Sequence, residues 1–127
     1  MLNLFTSQYR CKDCDRLDIT VKNPEGSIFA PTWEMVMKSK SGLLTHQEYT
    51  DLYLQRMADS YHKWKQDWDD LLAKDRIVLV CFCPSGTFCH RYILADILVK
   101  LGAKYGGEID PKTNEIMTLD LESILKL

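Results

Sequence analysis

Six successive apolar residues, Ile77-Val78-Leu79-Val80-Cys81-Phe82, constrain this chain more than any other stretch. Half of them are β-branched and none is polar, so a strand built from them has no face to give to water and belongs inside a parallel sheet covered on both sides. Pro84-Ser85-Gly86 ends the run, and Ser85 or Thr87 offers a helix cap. Leu94, Ile97, Leu98 and Leu101 then recur at helical spacing until Gly102 stops them. The unit 77–101 therefore reads as strand, tight loop and helix. Its loop gathers Cys83, Cys89, His90 and Arg91 at a helix N-terminus, where unpaired N–H groups and the helix dipole favour anions.

The flanking segments supply partners for that strand. Leu2-Asn3-Leu4-Phe5-Thr6 predicts a first strand, and Arg16 to Val21 a half-buried second one, with Leu17, Ile19 and Val21 alternating against Arg16, Asp18 and Thr20. Asn23-Pro24-Glu25-Gly26 marks a turn, and Pro31 is placed to open a short helix through Trp33 to Met37 that ends between Ser39 and Gly42. Thr45-His46-Gln47-Glu48 has capping-box spacing. Behind it Tyr49, Leu52, Tyr53, Met57, Tyr61, Trp64, Trp68, Leu71 and Leu72 predict one long amphipathic helix whose other face is polar. An edge strand over 103–109, a turn at Asp110-Pro111 and a helical tail over 118–127 complete the chain. Strands alternating with helices predict a small α/β single domain over 1–127, with a mostly parallel sheet flanked by helices and its strand C-termini gathered at the edge where such sheets bind ligands.

Composition removes whole classes of function. A net charge of −2 over 127 residues leaves no basic footprint for duplex nucleic acid or an anionic membrane. No apolar run reaches transmembrane length and the first residues lack a signal-peptide pattern, so a cytoplasmic location is expected. Five cysteines, an odd number, are expected there as free thiols, metal ligands or redox groups rather than structural disulfides.

Three chemistries compete for the 77–101 loop. A thiol enzyme would use Cys89 or Cys83 as nucleophile, His90 as base and Arg91 as anion clamp. The cysteine-phosphatase cradle is absent, because that loop puts its arginine six positions after the nucleophile, whereas Arg91 lies eight after Cys83 and two after Cys89. A zinc site would need Cys11 and Cys14 to fold over Cys83, Cys89 and His90. One CxxC is a weak zinc signal, and Cys81 and Cys83 are expected to point to opposite faces and not to serve as joint ligands; no metal or other cofactor is expected. A phosphate or nucleotide pocket uses the most residues. Ser85, Gly86 and Thr87 would turn N–H groups to the anion, Arg91 would hold it bidentately, and Tyr9, Trp33 or Phe88 would stack on a base. Asp18 is expected either to touch that ligand or to pair with Arg91. Trp64 and Trp68 read as structural, and His46 and His62 as surface residues.

The strand Val78 to Cys83 followed by Phe88-Cys89-His90-Arg91 resembles the domain-of-unknown-function 488 family, named in sequence by a Cys-His-Arg signature after a buried strand. Arg16-Leu17-Asp18-Ile19-Thr20 and Phe29-Ala30-Pro31-Thr32-Trp33 are similar to segments preceding the long helix in its short, phage-type members. The likeness spans about 4–107, leaving 108–127 as an extension, and the Cys11-x2-Cys14 pair departs from the pattern. It implies a Rossmann-like domain with Cys89, His90 and Arg91 at a functional edge. The expectation from sequence is a protein that binds a small nucleotide-like, phosphate-bearing molecule at 77–101, with sequestration of a host nucleotide immune signal as its use if the chain is phage-encoded. The alternatives are the thiol enzyme, acting on a nucleotide or nucleoside, and a protein-interaction module using the long aromatic helix. Homo-oligomer formation stays open.

Overall fold

A computed structural model of the chain describes residues 1–13, 15–21 and 27–125. Cys14 and the Asn23–Gly26 turn lie outside them. Among the described residues five strands form one sheet in the order β2-β3-β1-β4-β5: β1 (Asn3–Gln8), β2 (Arg16–Asp18), β3 (Arg76–Cys81), β4 (Lys104–Ile109) and β5 (Ile116–Met117). The pairs β2·β3, β3·β1 and β1·β4 are parallel, and only β4·β5 is antiparallel. The chain is thus an α/β protein with a mostly parallel mixed sheet flanked by helices. None of its described helices is long and apolar enough to cross a membrane.

The central strand behaves as its composition requires. Every residue from Ile77 to Cys81 is buried, and the two faces feed two clusters. Ile77, Leu79 and Cys81 join the large core with Leu94, Leu98, Tyr53 and Trp68, while Val78 and Val80 meet Cys11 and Ile109 on the opposite face, with Phe5 against them. Parallel register sets Gln8 opposite Cys81, Asp18 opposite Val80 and Ser7 opposite Ile109, so all four C-termini share one edge.

The helices follow the sequence with three corrections. α1 (Trp33–Lys40) is capped by Thr32, whose hydroxyl accepts from the Met35 amide at 3.1 Å, so Pro31 precedes the cap rather than opening the helix. The capping box forms as expected at Thr45, but the long helix is two, α2 (His46–Lys63) and α3 (Lys65–Leu72), broken at Trp64. Eight residues of straight helix span about 12 Å; the break lets the Trp68 indole reach back to the Ser60 hydroxyl at 3.0 Å, which itself donates to the Ile28 carbonyl at 2.6 Å. α4 (His90–Lys100) starts later than a cap at Ser85 or Thr87 would have it, with Cys89 at the N-cap position. Thr87 instead donates to the Pro84 carbonyl and Ser85 accepts from Gln8, which ties both into the loop.

At the C-terminal side, β4 is an inner strand and not an edge. It lies between β1 and the short β5, and α5 (Leu121–Leu125) returns two buried leucines to the core. The register against β1 slips between Leu4 and Phe5, and the Phe5 ring packs where a Gly106 side chain would be. β1 runs two residues beyond its expected end, and β2 stops at Asp18.

Candidate functional site

The shared edge of strand C-termini opens into a cleft of about 340 Å3. Its floor is the end of β3 and the start of α4, contributing Cys81, Cys83, Cys89 and His90. Tyr49 of α2 and Phe88 close one side; Trp33, Val36 and Lys40 of α1 close another, and Thr20 and Phe82 complete the wall. Trp33 and Phe82 are 57% and 59% exposed, unusual for large aromatics in a small domain. Phe82 is backed by Tyr9, whose ring stacks on it at 4.2 Å, and Phe88 is held by a parallel His46 ring at 4.0 Å. A larger groove, about 690 Å3, lies between α1 and α2 but holds none of the residues expected at the ligand site.

Three thiols meet in the cleft floor, and this corrects the expectation that Cys81 and Cys83 point apart. Residues two apart along an extended chain share a face, as Ile77, Leu79 and Cys81 do, so Cys83, just past the end of β3, continues that series and its sulfur lies on the Cys81 side. The Sγ atoms of Cys81, Cys83 and Cys89 all lie within 4.8 Å of one another, with Cys81 and Cys89 at 2.7 Å. Cys11 is not part of this cluster, since it packs beneath Val78 and Val80 on the other face of the sheet.

Arg91 organises the thiols from behind. It is fully enclosed, and its Nη1 donates to Cys81 Sγ at 3.0 Å and to the Cys83 carbonyl at 2.9 Å, with Cys89 Sγ farther off at 3.8 Å. Nη2 donates to Glu108 and to the Tyr92 hydroxyl, each at 2.9 Å. The carboxylate partner expected for Arg91 at Asp18 is therefore Glu108, on β4, also fully buried. Asp18 uses one carboxylate oxygen to accept from the Thr20 amide at 2.9 Å.

The electrostatics follow from these contacts. Burial pushes the Cys81 thiol up, but hydrogen bonds from Cys83 and Cys89 and the positive fields of His90 and Arg91 outweigh it and hold Cys81 well below the usual thiol range. Cys83 is pushed up to about 11, chiefly by its hydrogen bond to Cys81. Burial, then the neighbouring sulfurs, raise Cys89. Cys81 is thus the thiol shifted down, while Cys83 and Cys89, the two expected nucleophiles, are shifted up. Burial also lowers His90, whose Nε2 lies 2.8 Å from the Ile19 carbonyl.

Of the residues expected at the site, Trp33, Cys83, Cys89 and His90 line the cleft. Tyr9, Asp18, Ser85, Gly86, Thr87 and Arg91 do not. The amide of Gly86 donates to the Tyr92 hydroxyl at 2.8 Å and that of Thr87 to the Pro84 carbonyl at 3.4 Å, so both serve the loop itself. Sequence reasoning missed Cys81, Thr20, Lys40 and Glu108. Thr20 is 4% exposed and its hydroxyl has no hydrogen-bond partner among the described residues, a cost of about 1–3 kcal/mol that a ligand in the cleft would relieve. Among known families, the model DUF488-N3a, described as the active DUF488-N3 subclade, matches residues 8–102. No curated protein and no solved structure matched.

Proposed function

We propose that this chain, which belongs to the DUF488 family, binds a small nucleotide-like, phosphate-bearing molecule in the cleft at the end of β3. The observation that carries the reading is the cleft itself, placed at the C-terminal edge of a parallel sheet with exposed Trp33 and Phe82 on its walls. Flat aromatic surfaces held open to solvent suit stacking on a base. Exposed Lys40 on the lining gives a phosphate its counter-charge, and the unpartnered Thr20 hydroxyl offers a directed hydrogen bond. Arg91 contributes by fixing the floor rather than by touching the ligand. Binding without turnover would suit sequestration of a nucleotide signal.

A panel of mononucleotides, dinucleotides and cyclic dinucleotides, with inorganic phosphate as control, tests this by thermal shift and by mass analysis of the recovered ligand. A member present at about 100 times its Kd stabilises the fold by roughly 2.7 kcal/mol, several degrees for a domain of this size. Trp33→Ala should weaken that ligand about tenfold or more, the scale of one lost stacking contact. A recovered ligand that is chemically altered moves the assignment to a thiol enzyme. No shift with any member overturns the binding reading.

A further inference from the structure

The three sulfurs in the cleft floor are screened from bulk water, with Cys81 and Cys89 only 1% and 3% exposed and Cys83 half-buried. His90 adds a nitrogen beside them. Its Nε2 faces a carbonyl oxygen at 2.8 Å; a carbonyl only accepts, so Nε2 carries the ring proton and Nδ1 keeps its lone pair. That Nδ1 is 3.7 Å from Cys89 Sγ. We propose that Cys81, Cys83 and Cys89 bind a thiophilic d10 cation, of which zinc is the reference case, with Nδ1 of His90, beside Cys89 but outside the 4.8 Å cluster of sulfurs, moving in as fourth donor.

Donor type, support and access all fit such an ion. Three cysteines and one histidine make a common tetrahedral zinc set, and a ligating imidazole anchored through its other nitrogen to a backbone carbonyl is the usual supporting contact. On binding, the sulfurs release to solvent whatever protons they still carry, and the three thiolates around a divalent ion carry one net negative charge. Arg91 Nη1, 3.0 Å from Cys81 Sγ, lies where it offsets that charge. Zinc–sulfur bonds of about 2.3 Å at tetrahedral angles put sulfurs roughly 3.8 Å apart. Cys81 and Cys89, now at 2.7 Å, must part by roughly 1 Å, and the 4.8 Å spread of the cluster then already brackets the required spacing. The cleft supplies the path for the ion. Cys11, which the sequence places with Cys14 over Cys83, Cys89 and His90 in any zinc site, lies on the opposite face of the sheet.

The full chain, reduced, stripped with a chelator and kept free of nucleotide, is titrated with Zn2+ against a chromophoric competitor and with Co2+. One equivalent of each should bind, with Co2+ giving the sulfur-to-metal and intense visible bands of tetrahedral thiolate ligation. Cys83→Ser, at the most accessible ligand, should weaken Zn2+ at least tenfold, and Cys11→Ser should leave it unchanged. Should Cys83→Ser fail to fold, the wild-type chain still decides the matter: bound Zn2+ must protect Cys81, Cys83 and Cys89 from alkylation, read residue by residue by mass spectrometry. Absence of saturable uptake, uptake indifferent to Cys83→Ser in a folded variant, or protection confined to Cys11 and Cys14 overturns the proposal. None of these outcomes depends on nucleotide binding.

Discussion

Arg91 spends its charge inside the protein, and what it costs to keep it there depends on Glu108. Both side chains are fully enclosed, joined at 2.9 Å, with Arg91 Nε and Glu108 Oε1 left without partners among the described residues. A buried pair of this kind adds little net stability, yet removing one member strands the other charge, at about 3–5 kcal/mol. Glu108→Gln should therefore lower the urea midpoint of the ligand-free protein by that order. Adding Arg91→Met should return part of the loss, because the stranded charge is gone. A neutral Glu108→Gln would contradict the clasp. The sequence made Arg91 visible through its neighbours Cys89 and His90, but its partner lies 17 residues on, in a strand that reads as peripheral, whereas Asp18 seemed nearer in topology. Cys81 is hidden for a related reason: inside the apolar run it reads as one more buried strand residue, and only the shared face of positions 81 and 83, two apart along the chain, brings its sulfur to that of Cys83.

The elements divide by whether side chains or their absence define them. β1 and β3 were legible because alternating or continuous apolar residues state which faces are covered. The α2–α3 break was not, since the apolar spacing runs through Trp64 unchanged and only the tertiary contact of Trp68 with Ser60 sets it. β4 was misplaced as an edge because Gly106 and Gly107 carry no pattern. They are there for space: a Cβ on Gly106 would lie 2.4 Å from the Phe5 ring, and one on Gly107 would lie 2.5 Å from the Met117 carbonyl oxygen, with φ at +124°. The phenyl ring at Gly106 can move, but a backbone oxygen paired in a sheet cannot. Gly107→Ala should then destabilise the chain by roughly 1–3 kcal/mol from backbone strain alone, with the β4·β5 clash adding to it. Gly106→Ala should cost less. Equilibrium denaturation of the two variants checks the order, and a tolerated Gly107→Ala would mean that β5 does not sit as close to β4 as described.

At the scale of the molecule, the segment after the family match is part of the same body. The match ends at residue 102, yet β4 at 104–109 pairs with β1 and supplies Glu108 to the signature arginine, while α5 packs Leu121 and Leu125 into the core beside α4. A chain cut after Met117 keeps β5 and the Arg91–Glu108 pair but loses both leucines. Each is at least nine-tenths buried, and burial of a leucine side chain stabilises by about 1.5–3 kcal/mol, so the pair contributes roughly 3–6 kcal/mol. Set against the 5–15 kcal/mol typical of a whole domain, that loss is large without being fatal. The truncated chain should fold with nearly the far-ultraviolet spectrum of the parent, melt about 10–25 °C lower, and expose apolar surface beside α4 where Leu121 and Leu125 pack. A cut after Gly102 removes β4 as well, leaving one edge of β1 unpaired and Arg91 with no carboxylate. It should yield no cooperative transition. If the chain ending at 102 melts cooperatively near the temperature of the parent, then β4 and α5 are accessories to the fold, and the assignment of Glu108 as the counter-charge of Arg91 falls with it.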